Sequence, residues 1–231
     1  MNIYLTGDLH GDFKRLFDFS EKLHTTREDI VIALGDVGLN FYLDERDAMR
    51  KQKLQELPLT FFCIHGNHEE RPENIPTYRE KQWHGGTVFY EEAYPNLLFA
   101  KDGEIYDLAG KKAIVIGGAY SVDKVPRLIA GWPWFASEQP SAETKRRVEE
   151  KLKQAGWKID IVLTHTGPYK YLPVETFLPF IDQESVDQET ERWLDMIEDR
   201  LEYAHWYFAH YHLEKAIDKI RILYEEIWML S

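Results

Sequence analysis

"YLTGDLHGDF", residues Tyr4–Phe13, sets Asp8 and His10 one residue apart at the end of an apolar run, flanked by Gly7 and Gly11. The pattern returns twice. "DIVIALGDVG" (29–38) ends in Gly35-Asp36, and "LTFFCIHGNHEE" (59–70) runs into Gly66-Asn67-His68-Glu69. Each run has the length of a strand and delivers oxygen or imidazole groups at its carboxyl end. Open α/β sheets bind ligands in the crevice beyond those ends. The repetition therefore points to an α/β fold with a metal site at the strand ends.

Two later runs add to it. "DIVLTHTGP" (160–168) delivers His165, and "HWYFAHYHLEK" (205–215) delivers His210 and His212. Side chains alternate across a strand, so an Asp-x-His or His-x-His pair sends both groups to one side. Seven candidate ligands, Asp8, His10, Asp36, Asn67, His165, His210 and His212, exceed what one tetrahedral ion uses and suit two ions sharing a carboxylate. Imidazole and carboxylate accept manganese, iron or zinc, with manganese the first expectation.

Composition narrows the remainder. A chain of 231 residues, 44% hydrophobic, is long enough for one large core, and residues 1–231 are read as a single domain. A net charge of -12 opposes binding to extended nucleic acid or an anionic membrane, both of which reward a basic surface. Cys63 is the only cysteine, which excludes an internal disulfide and favours a reducing compartment. There is no basic leader and no run near the ~18 apolar residues of a membrane span, so a cytoplasmic protein is expected.

Strand patterns fall at Ile3–Thr6, Ile30–Leu34, Thr60–Ile64, Leu97–Ala100, Ala113–Ile116, Ile161–Thr164 and Trp206–Ala209, with a closing ladder near Ile217–Tyr224. Helical spacing follows Asp12, a good N-cap, and recurs at Glu45–Leu57, Ser141–Ala155 and Val186–Tyr203. Parallel segments come first and antiparallel ones later. Residues 69–96 and 120–140, rich in proline and aromatics, read as long functional loops.

The series Asp8-x-His10, Gly35-Asp36, Gly66-Asn67-His68-Glu69, His165 and His210-x-His212 resembles the calcineurin-like metallophosphoesterases, in order, from residue 3 to about 225. The resemblance implies a four-layer αββα sandwich of two mixed sheets with a dinuclear centre between them. It assigns Asp8, His10 and His212 to one divalent ion, Asn67, His165 and His210 to the other, and Asp36 to both. It also implies in-line attack by a hydroxide held between the ions, with His68 at the departing oxygen. Protein Ser/Thr phosphatases of this superfamily carry a second Asp and an Arg after Gly-Asp, where this chain has Leu39 and Asn40. Arg127 and Arg71 are candidates for the vacant phosphate-binding role, beside Asn67. Glu69 is read either as a support for His68 or as a helix cap, and Trp132, Trp134 and Phe135 as a loop anchor. The functional expectation is a phosphatase-like phosphoesterase. A phosphodiesterase or nuclease with the same centre is the alternative, and a non-catalytic scaffold a third reading.

Overall fold

The computed structural model describes residues 1–179 and 181–230. Its strands are β1 (Ile3–Thr6), β2 (Ile30–Ala33), β3 (Thr60–Cys63), β4 (Arg79–Trp83), β5 (Gly86–Tyr90), β6 (Leu97–Ala100), β7 (Ile105–Leu108), β8 (Lys111–Ile116), β9 (Ile161–Thr164), β10 (His205–Phe208), β11 (Lys215–Ile217), β12 (Ile220–Ile222) and β13 (Trp228–Met229). Its helices are α1 (Lys14–Leu23), α2 (Glu45–Gln55), α3 (Lys124–Ala130), α4 (Ala142–Gln154) and α5 (Glu189–Glu198).

The strands form two sheets, ordered β13-β1-β2-β3-β6-β5-β4 and β11-β12-β10-β9-β8-β7. Both are mixed. β1, β2, β3 and β6 run parallel in the first sheet, as do β8, β9, β10 and β12 in the second, while the edges pair antiparallel. Alternation explains the layering. Ile3, Leu5, Ile30, Ile32 and Phe62 meet Ala113, Val115, Ile161, Leu163 and Tyr207 in a core between the sheets. The intervening residues Val31, Ala33 and Phe61 pack outward on Leu16 of α1 and Leu54 of α2. On the opposite outside, Ile114, Val162 and Trp206 pack on Val148 of α4 and Leu194 of α5. Strands buried on both faces read as unbroken apolar runs, and the result is a four-layer αββα sandwich.

Some boundaries and elements differ from expectation. Residues 69–96 hold the hairpin β4-β5 and residues 120–140 hold α3. The edge strand β4, "REKQW", is polar except for Trp83, so its burial writes little pattern. Helix α5 begins at Glu189, later than Val186, after irregular turns. Asp12 stands one residue before the Phe13 N-cap, although its carboxylate still accepts from Lys14 N at 3.0 Å. Among the described residues, no helix is long and apolar enough to cross a membrane.

Candidate metal centre

The carboxyl ends of β1, β2, β3, β9 and β10 open into a common crevice, and each following loop contributes to it. The backbone is strained there. His10, Asp36, His210 and His212 all have positive φ, between 45° and 70°. For non-glycine residues this costs about 1–3 kcal/mol each and persists where the surroundings over-determine it. Glycines permit the close approaches. A Cβ on Gly35 would lie 2.1 Å from His165 Nδ1, and one on Gly66 would lie 2.0 Å from Asp36 Oδ1.

In the outer half of the crevice, His10 Nε2 and His212 Nε2 stand 3.0 Å apart. Asp8 Oδ2 is 2.9 Å from the His212 nitrogen and 3.8 Å from that of His10. That oxygen is buried and has no hydrogen-bond partner of acceptable geometry despite the short approach. Asp8 is held from behind by Arg15, which donates to the carbonyls of Gly7, Asp8 and Tyr224.

In the inner half, His165 Nδ1 lies 2.7 Å from the Leu34 carbonyl, which can only accept, so Nδ1 carries the proton. Nε2 is then a bare lone pair. It faces Asn67 Oδ1 at 2.8 Å, and that oxygen is fixed because Asn67 Nδ2 donates to Ser121 Oγ at 2.9 Å. In the neutral ring two acceptors then face each other at hydrogen-bond distance, a donor set that fits a metal ion bound between them. Asp36 reaches both halves: its Oδ2 is 3.7 Å from His165 Nε2, and its carboxylate groups with His10 and His68. Asp36 Oδ1 accepts from the backbone of His68 at 2.8 Å. His210 lies edge-on to His165, with ring centroids 5.0 Å apart.

Charge follows geometry. Burial works to raise the Asp36 carboxyl, but His165, His68 and His10 hold it well below its ordinary range. Burial, reinforced by His165, pushes His210 down to about 3, leaving it a neutral ligand. The Asp8 carboxylate raises His212. Burial lowers His68, opposed by Asp36 and helped by Arg127.

Arg127 and Arg71 lie elsewhere than a phosphate clamp requires. Arg127 is 2% exposed and does not line the cavity. Its guanidinium contacts Ser121 Oγ at 3.3 Å and His68 Nδ1 at 3.1 Å. A guanidinium only donates, so Nδ1 accepts and the His68 proton sits on Nε2, which faces Asp123 at 3.9 Å. Arg71 is tied to Asp102 at 2.7 Å and to the Ser137 carbonyl at 2.7 Å, away from the cavity lining. Glu69 takes neither expected role: its Oε1 accepts from Gly66 N at 3.0 Å, bracing the loop before Asn67. Of the aromatic anchor, Phe135 is buried whereas Trp132 is exposed. Arg15, Ser121 and Arg127 act as supports through contacts that no sequence motif marks: Arg15 to the β1 loop and Tyr224, Ser121 to Asn67, and Arg127 to His68.

A cavity of about 570 Å³ opens onto His10, Asp36, Asn67, His68, His210 and His212. Imidazoles and carboxylates thus converge at the strand ends of a two-sheet sandwich, a donor set suited to divalent metal ions. The chain belongs to the calcineurin-like phosphoesterase family, whose profile matches residues 1–214. It is accordingly a hydrolase of phosphate ester bonds, in a family that typically depends on a dinuclear metal centre. Its fold is similar to that of the protein TT1561 from Thermus thermophilus, at 13% identity over 99% of this chain and 97% of that one, with a TM-score of 0.53. A phosphopantetheinyl hydrolase from Mycobacterium tuberculosis aligns at 13% identity over 99% and 95% of the two chains, with a TM-score of 0.48. No curated protein matches the sequence.

Proposed function

We propose that the protein hydrolyses phosphate esters with two divalent transition-metal ions, manganese foremost and iron or zinc as alternatives. Asp8, His10 and His212 would hold one ion, Asn67, His165 and His210 the other, and Asp36 both. The observation that carries this reading is the pair of facing acceptors, His165 Nε2 and Asn67 Oδ1 at 2.8 Å. When bound, such ions neutralise phosphoryl charge and make hydroxide accessible near neutral pH.

The protein's own groups do the rest. Asn67, held by Ser121, positions the phosphoryl end. His68, held with its proton on Nε2, donates that hydrogen bond toward the departing oxygen. Asp36 stays ionised among its histidines and keeps the two halves in register.

A diesterase is the second reading, favoured by one observation: among the described residues no lysine or arginine lines the cavity. A monoester dianion gains most from a guanidinium clamp, and a diester monoanion needs it less. Extended nucleic acid is disfavoured by the same absence and by the acidity of the chain.

The test is the initial rate on p-nitrophenyl phosphate and bis(p-nitrophenyl) phosphate, using chelator-stripped protein resupplied with manganese. Metal-dependent turnover of either ester, lowered at least about a hundredfold in Asp36→Asn, is expected. Undiminished turnover in that variant would overturn the reading.

A further inference from the structure

The cavity that opens onto the site has an unequal lining. Around the phosphoryl end stand the histidines, Asp36 and Asn67. Beyond them the wall is formed by Leu172, Phe177, Leu178, Ile181 and Val186, faced by Val122 across the opening. Phe177 stacks on Tyr211, with centroids 6.4 Å apart and planes at 26°. This wall comes from the irregular stretch between β9 and α5, not from either sheet.

Beside neutral polar groups such as Gln183 and Gln188, the charged side chains at this end of the cavity are acidic. Asp123, Asp187 and Glu191 line the cavity, and no lysine or arginine of the described residues does. Arg127 lies behind Asp123, 3.8 Å from its carboxylate, and its burial keeps its donors from the cavity. Glu191 is 5% exposed; its Oε1 accepts from Thr166 Oγ1 at 2.9 Å, while its Oε2 is buried with no partner. An anionic group placed here would meet carboxylates and no lysine or arginine among the described lining residues. Burying it without a counter-charge is costly. An apolar group gains by leaving water.

Resting on the phosphoesterase reading, we propose that this cavity selects phosphate esters whose leaving group is apolar and carries no negative charge. Nucleotides, sugar bisphosphates and acidic phosphopeptides are discriminated against at the leaving-group wall, whereas uncharged aryl or alkyl alcohols are accepted and cationic ones tolerated. The site carboxylates bear on the phosphoryl end, while Asp123 and Asp187 bear on the other end of the same substrate.

The experiment uses the full chain with manganese and two near-isosteric phosphates, 4-acetylphenyl and 4-carboxyphenyl, with p-nitrophenyl phosphate and its bis-ester as controls. If the bis-ester is the better control, both probes are used as their methyl diesters. The expected result is a kcat/KM at least about tenfold higher for the acetyl compound. Asp187→Asn should narrow that ratio, and Phe177→Ala should lower kcat/KM for the acetyl compound more than for the carboxylate. A ratio near one, or one favouring the carboxylate, would overturn the inference while leaving the phosphoesterase reading intact. No metal-dependent turnover of any of the compounds would overturn that reading, and this inference with it.

Discussion

The two halves of the metal crevice use similar residues to different ends. Asn67 and His165 are almost fully buried, and every atom of theirs not facing the crevice is tied: His165 to the Leu34 carbonyl, Asn67 to Ser121. His10 and His212 are open to solvent, at 35% and 48% side-chain exposure, and touch each other, Asp8 and the rings of His68 and Tyr224 respectively. The inner half is a preformed socket. The outer half is held by exposed loop side chains with fewer orienting partners. An ion held by oriented, water-excluded ligands is lost more slowly than one held by exposed rings, because partners that orient a ligand tune its affinity.

The largest effect should follow from striking the socket. His165→Ala removes a ligand and bares the Leu34 carbonyl, so hydrolysis should fall by more than about a hundredfold and excess manganese should not restore it. Initial rates across a manganese titration check this. His212→Ala should be milder at saturating metal: activity drops at limiting manganese and recovers in part as metal is raised. Equal behaviour of the two variants would erase the contrast between the halves.

Arg127 sharpens the comparison from behind, since it touches the inner half through Ser121 and the leaving-group side through His68. Arg127→Ala should lower kcat about tenfold with little change in bound metal, and Arg127→Lys should restore part of the loss. A change confined to KM would instead assign Arg127 to substrate contact.

The smallest effect concerns stability. Burial raises Glu191 to about 7, above the ordinary value near 4.3 of an unfolded glutamate. Between those values the folded chain binds the extra proton at Glu191, so this group's contribution to stability is greatest below about pH 4.3 and declines as pH rises toward about 7. Glu191→Gln should flatten that decline, seen by chemical denaturation at pH 5 and pH 7. An unchanged slope would mean that Glu191 is ionised in the folded state.

What could be read in the sequence follows where burial writes a pattern. Asp8, His10, Asp36, Asn67, His165, His210 and His212 each end an apolar run, so strand periodicity located them before any coordinates. Edge strand β4 left little such trace, being mostly polar, and α3 was hidden within a proline-rich stretch. Arg127 was noticed for its charge and assigned to phosphate, yet its burial against His68 gives it a different task. Long-range contact decides that, and single-sequence spacing does not encode it. The cavity wall residues Leu172, Phe177, Leu178, Ile181 and Val186 lie outside the strands and α-helices and carry no period from which a surface could be foreseen.

The most direct test of the central claim is the metal content of the whole chain, stripped with chelator, resupplied with manganese, freed of excess and measured by mass spectrometry. The account predicts about two ions per chain, with the first retained through dialysis and the second lost more readily. A chain that retains none, or one in which His165→Ala holds as much manganese as the unaltered protein, would contradict it.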